Sequence, residues 1–257
     1  MTSSLVDILG TLPETTADIP ASWYQGRTVF GGLSAALSFA HAKSQLPLEA
    51  PALRAGQISF IGPVAGELSL TSTVLRQGRS MTTVGTDLSS SEGLGVRSVF
   101  FFGAGRDSVI EHDVVLRSPA KSWEHYPLML DKSKAPVFLQ NFDIRPAGGS
   151  APFSSSDNPE IIWWVRHQNT NGLDPVIALI ALGDALPPAA VTSLNSPVPL
   201  SSINWFFDIA AAPSGEWFLL RSFSEKAAHG YSIQQMDVWD ESGKRVMTGR
   251  QTVAIFA

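Results

Sequence analysis

The chain has 257 residues, 44% of them hydrophobic and only 16% charged, with a net charge of −5. That balance excludes intrinsic disorder and lacks the basic footprint of a nucleic-acid binder. Cysteine is absent, which excludes disulfides, thiol nucleophiles and thiolate metal sites.

The opening segment, MTSSLVDILGTLPETTADIP, has no basic region and no apolar run suited to a secretory signal. The most apolar stretch, Pro175 to Leu182, falls short of the ~20 residues a membrane span needs. The expectation is a cytoplasmic protein.

Two long helices are predicted, over 31–45 (GGLSAALSFAHAKSQ) and over 175–185 (PVIALIALGDA). The second has good starting chemistry, since Asp174 can cap it and Pro175 suits its first turn. Both are apolar or small on nearly every face, and helices of that kind are buried all round. Strands are predicted after each helix. The first set is Gln57–Phe60, Glu67–Gln77, Ser80–Ser89 and Gly95–Phe102, and the second is Ile203–Ile209, Trp217–Ser224, Tyr231–Asp240 and Arg245–Phe256. The connection between the sets is rich in Pro, Ser, Gly and Asn. Asn141–Arg145 and Ile161–Gln168 within it must be strand, because IIWWVRHQ is too apolar to sit in solvent.

The order of elements therefore repeats, and Gly66-Glu67 and Gly215-Glu216 each open a strand at matching places. The expected fold class is α+β, with two tandem units of antiparallel sheet, each wrapped around a central helix. The units are 1–115 and 151–257, with 116–150 connecting them and the two forming one structural domain.

Asp184 is the candidate functional residue that physical reasoning singles out. A carboxylate at a helix C-terminus faces the negative end of the dipole, and the apolar helix before it would strip its water and raise its pKa. A placement so costly points to function. Gly31 and Gly32 open the first helix, where bare N–H groups can donate to a developing oxyanion and a substrate can approach closely.

The motifs GRTVFGG (26–32), LRQGRS (75–80), LGDALPP (182–188), SSINWFFD (201–208), GEWFLLRS (215–222) and TGRQTVAIF (248–256) occur in this order across almost the whole chain. In this they resemble the acyl-CoA thioesterase II family and its thioesterase-like relatives, whose fold is the double hotdog. The resemblance implies a catalytic set of Asp, Thr or Ser, and Gln that holds the water attacking a thioester. Carried over, the Asp is Asp184, the Gln is Gln251 and the hydroxyl is Ser202, with Ser201 as an adjacent competitor. The substrate it implies is an acyl-CoA, with neither metal nor organic cofactor. Gly31 and Gly32 would serve the working site from the opposite half of the chain. The first helix ends in Lys43-Ser44-Gln45 rather than an acid, so one of the two pseudo-equivalent sites should be degenerate.

The carboxylate could act as general base on water or attack directly to give an anhydride. Two other functions fit a hotdog scaffold. One is an acyl-thioester or lipid binder without turnover, and the other is a hydratase or dehydratase pairing His41 with an acid. No nucleotide-binding loop, GxSxG elbow or paired metal-ligand spacing is present. The abundant aromatics and long terminal strands suggest a homo-oligomer, a dimer or tetramer.

Overall fold

The computed structural model describes residues 4–10, 16–112, 114, 116–133 and 135–256. A short helix, α1 (Leu5–Leu9), is followed by β1 (Thr16–Asp18) and a small hairpin of β2 (Tyr24–Gln25) and β3 (Thr28–Val29). The first core helix is α2 (Gly31–Ser44), followed by β4 (Leu53–Phe60), β5 (Glu67–Gln77), β6 (Met81–Ser90) and β7 (Gly93–Gly103). After the connection come β8 (Phe142–Gly149), β9 (Glu160–His167), the second core helix α3 (Pro175–Gly183), then β10 (Leu200–Ile209), β11 (Phe218–Ala228), β12 (Tyr231–Trp239) and β13 (Arg245–Ile255).

The longer strands make one antiparallel sheet in the order β1-β5-β6-β7-β4-β10-β13-β12-β11-β9-β8. Its middle reads the same from either side once β4 is matched with β10, β5 with β11, β6 with β12 and β7 with β13. That is the order a duplicated unit produces when its copies meet through one strand pair. The joint is β4 with β10, where Trp205 lies opposite Ile58 and Phe207 opposite Gly56. A Cβ on Gly56 would stand 2.3 Å from the Phe207 ring, so the glycine makes room for that aromatic across the joint. The architecture is the α+β double hotdog.

The helices lie side by side against the concave face. α2 buries Leu33, Ala35, Ala36, Leu37 and Phe39, in keeping with its lack of a polar stripe. α3 starts as predicted, with the Asp174 side chain accepting from the N–H groups of Val176 and Ile177 and Pro175 in the first turn. His167 on β9 ties to α3 through the Ala178 carbonyl at 2.9 Å. Burial pushes its imidazole down to about 4, so it stays neutral at ordinary pH.

The strands run longer than the sequence alone suggests, by several residues in β4, β8 and β11. β8 lies at the sheet edge, the place where Pro146 is tolerated within a strand. Three of the tryptophans build a second, smaller core on the convex face of the C-terminal half. Trp164, Trp217 and Trp239 pack there with Leu219 and Ile162. The connection crosses over them, and its Leu116 and Lys121 carbonyls accept from the Trp239 and Trp164 indoles. Trp123 of the connection stacks on Trp217 at 5.3 Å.

Candidate active site

The C-terminal end of α3 meets the N-terminal start of α2. Asp184 is the C-cap residue of α3, and its carboxylate lies over the first turn of α2. A Cβ added to Gly31 would come within 2.7 Å of the Asp184 Oδ2, and one added to Gly32 within 2.4 Å of the Ala181 carbonyl. Only glycine at both positions permits this approach. The other carboxylate oxygen, Oδ1, accepts from the Gln251 Nε2 at 2.6 Å.

Asp184 keeps some contact with solvent at its surface, yet protein surrounds the carboxyl closely. Loss of hydration pushes its pKa up to about 7. The Gln251 bond, and then the backbone N–H of Gly32, pull the other way by favouring the charged form. The carboxylate thus suffers the negative end of one helix dipole and enjoys the positive end of another. The compensation that the sequence did not reveal comes from Gly31 and Gly32, whose helix start embraces the carboxylate itself.

Behind Gln251 lies a second buried amide. Gln234 Nε2 donates to Gln251 Oε1 at 2.9 Å, while Gln234 Oε1 accepts from the Ala189 N–H at 3.0 Å and the Ser222 hydroxyl at 3.3 Å. Sequence reasoning missed Gln234. Its one trace there is a polar residue on the buried face of an alternating strand.

Ser202 stands on the face that carries Gln251. It lies opposite Val253, and Trp205 lies opposite Gln251, with a bulge between Ser202 and Asn204 that keeps both on the inner side. Ser202 is half-buried, and among the described residues its hydroxyl makes no hydrogen bond to Asp184 or Gln251. Ser201 is exposed, and its hydroxyl donates to the Ser202 carbonyl at 3.4 Å. The structure therefore brings Asp184, Gln251, Gly31 and Gly32 together and leaves Ser202 on the adjoining wall. Phe60, half-buried at the end of β4, stands beside Gly31.

At the opposite ends of the same helices the charges are reversed. Lys43, in the last turn of α2, forms an ion pair with Asp174, the residue that caps α3. The N-terminus of α3 is thus filled by its own side chain, and no acid stands where α3 places Asp184. His41 lies ten residues beyond Gly31 on α2, roughly 15 Å along the helix axis, so it does not pair with Asp184. Its Nδ1 instead meets the Ser72 hydroxyl at 2.7 Å. Among the described residues no cluster of metal-ligating side chains occurs, and no helix is long and apolar enough to cross a membrane. Two surface hollows lie elsewhere. One of about 180 Å³ is lined by Leu5, Trp23 and His167, and one of about 260 Å³ by Met129, Pro146 and Trp163; Asp184 lines neither.

Two helices wrapped by one duplicated sheet, with an acid of the second half set on the helix start of the first, define a double hotdog protein. Residues 19–103 match the acyl-CoA thioesterase N-terminal domain and residues 115–255 the acyl-CoA thioesterase C-terminal domain, so the chain belongs to the acyl-CoA thioesterase family. Solved structures share the fold. A hot dog fold protein from Alicyclobacillus acidocaldarius superposes with a TM-score of 0.83 at 23% identity, covering 94% of this chain and 92% of its own. The tesB protein of Mycobacterium avium subs paratuberculosis gives 0.77 at 14% identity over 99% and 100% of the two chains. The acyl-CoA thioesterase II TesB2 of Mycobacterium marinum gives 0.72 at 15% identity over 94% and 92%. No curated protein matches the chain.

Proposed function

We propose that this protein hydrolyses acyl-CoA thioesters to the free carboxylic acid and CoA, with Asp184 as the general base. The observation that carries the reading is a carboxylate held between Gln251 and the start of α2, with its pKa raised to about 7. A base poised near neutrality is strong enough to take a proton from water and still sufficiently ionised to do so. Water loses its proton to Asp184 while its oxygen attacks the thioester carbon. The tetrahedral oxyanion then collapses, the carbon–sulfur bond breaks, and the leaving thiolate takes the proton back from Asp184 to give CoA. Gln251 spends one Nε2 hydrogen on Asp184 and has a second with which to orient the water. Ser202 adds a hydroxyl to the same wall, and Gly31, which has no side chain, lets the carboxylate and Phe60 close over the helix start beside which the thioester would lie. Phe60 is the apolar surface its acyl group would meet first. A cytoplasmic location and a homo-oligomer of two or four chains belong to the same reading; exposed Phe206 and Ile203 on the joining strand suit a covered face.

The test is a screen of short, medium, long and aromatic acyl-CoAs with a thiol reagent to detect released CoA. Turnover is expected on at least one class, with kcat/KM rising as pH passes through about 7, where Asp184 loses its proton. Saturable binding without thiol release would replace the enzyme by an acyl-thioester binder. On the hydroxyl, Ser202→Ala is expected to lower kcat roughly tenfold and Ser201→Ala to leave it unchanged. The reverse ranking, read from the same assay, would move the role to Ser201.

A further inference from the structure

We infer that Gln234 is a positioning residue that fixes which way the Gln251 amide points and thereby holds Asp184 in its charged, proton-accepting form. This inference rests on the reading of Asp184 as a base. Its physical content is the polarity of a closed ring. A backbone N–H can only donate, so the Ala189 N–H at 3.0 Å compels Gln234 to turn its Oε1 toward it. The Ser222 hydroxyl, at 3.3 Å, can supply a second donor to that same oxygen. Gln234 must then present Nε2 to Gln251, which accepts with Oε1 at 2.9 Å and is left with its own Nε2 facing Asp184. The direction of every bond in the ring follows from one peptide group. That peptide belongs to the segment that carries Asp184, five residues further on, so two glutamines staple both ends of LGDALPPA to the sheet.

The ring matters because an amide next to a carboxyl has two options. Donating to the carboxylate favours the charged form, whereas a flipped amide would accept from a protonated carboxyl and favour the neutral form. Gln251 alone has no preference between them, and an acid that titrates near neutrality would select either. The lock at Gln234 removes the second option. The Gly32 N–H also favours the carboxylate, but among the described residues no other side chain fixes which way the Gln251 amide points. α2 presents Gly31 and Gly32 to Asp184, β4 presents Phe60, and β10 presents Trp205 beside Gly183. The charges on β12 and β13 serve the other face, where Asp237 pairs with Arg221 and Arg245, and Arg250 pairs with Glu225. Gln234 is almost wholly buried, at 1% exposure, and lies directly between Gln251 and Ser224 in the strand register.

Gln234→Glu tests this with almost no change of shape. Its carboxylate would still accept from Ala189 and Ser222 but could not donate to Gln251. Gln251 would flip to donate to it and turn its carbonyl oxygen toward Asp184. The Asp184 carboxyl, followed by carbon-13 NMR of Asp-labelled protein and assigned by its absence in Asp184→Asn, is expected to titrate about one unit or more higher than in the parent. Gln234→Met, which keeps volume and adds no charge, is expected to shift it in the same direction by less. The alkaline shift should appear equally in the pH dependence of kcat/KM. A purely structural role would lower activity at every pH and leave the midpoint of Gln234→Met where it was, whereas in Gln234→Glu the added negative charge by itself contributes to the rise. An unmoved Asp184 midpoint in either folded variant overturns the inference. The titration needs no turnover, so failure of the hydrolase reading would show separately, as a parent that releases no CoA while its Asp184 midpoint still responds to Gln234.

Discussion

Replacing Asp184 by asparagine is expected to lower thioester hydrolysis by roughly three orders of magnitude, because it removes the proposed proton acceptor at the meeting of the two helices. The same change has a consequence for stability that a surface carboxylate would not show. In the folded protein the Asp184 carboxyl titrates at about 7, whereas in an unfolded chain it titrates at about 3.9. Between those values the folded state binds the proton more tightly than the unfolded state does. Stability from this group is therefore complete at low pH and is lost as pH rises from about 4 to about 7. The full shift corresponds to a few kcal/mol at most, and in a chain of this size each kcal/mol moves the melting temperature by about 2–4 °C. Asparagine cannot ionise, so the variant escapes the loss. Part of the gain is offset where its amide group meets the Gly32 N–H, a donor facing a donor. Thermal melts at pH 4.5, 6 and 8 should show the variant gaining on the parent by several degrees across the series. A constant difference between the two curves would mean that the carboxylate is not held at depth, and the proposed base would lose its physical basis.

The scaffold was legible from sequence because its signals are local. Asp174 and Pro175 announce the start of α3, the absence of any polar stripe announces that α2 and α3 are enclosed, and the Gly-Glu pairs at 66–67 and 215–216 mark the repeat. The unfavourable side of Asp184 was equally local, since it follows from the helix that precedes it. Its compensation was not, because it comes from Gly32 in the other half of the chain, and no periodicity links a carboxylate to a helix start so far away in sequence. Gln234 shows a second kind of blindness. Gln234 and Gln235 are identical in composition, and only strand register decides that the first turns inward to Gln251 while the second bonds Thr248 on the outside. Ser202 shows a third. A strict alternation would put Ser202 and Trp205 on opposite faces, and the bulge at Ile203 reverses that. Trp164 and Trp239 announce a buried surface, but the connection that covers them carries no pattern that names its target.

The paired glycines at the start of α2 offer the sharpest separation of site from scaffold, since adjacent substitutions of one methyl group should fail for different reasons. In Gly31→Ala the new Cβ would stand 2.7 Å from the Asp184 Oδ2 and 3.2 Å from the Phe60 ring. Both are side-chain atoms. Phe60 is half-buried and can swing aside, and the carboxylate can rotate away at the expense of its hold on Gln251. Alanine is also the better helix former, which offsets part of any strain. Hydrolysis is expected to fall about a hundredfold with little change in melting temperature. In Gly32→Ala the Cβ would stand 2.4 Å from the Ala181 carbonyl oxygen, which is backbone of α3, and 2.6 Å from Phe30, itself stacked on Phe138 at 4.0 Å. Relief requires the two core helices to part, and overpacking of that kind costs about 1–3 kcal/mol. This variant is expected to melt roughly 5 °C lower and to lose activity along with its packing. Melting curves and initial rates on the same preparations check both. Should Gly31→Ala turn over at the parental rate, the carboxylate is not seated on that glycine during catalysis, and the helix start belongs to the architecture alone.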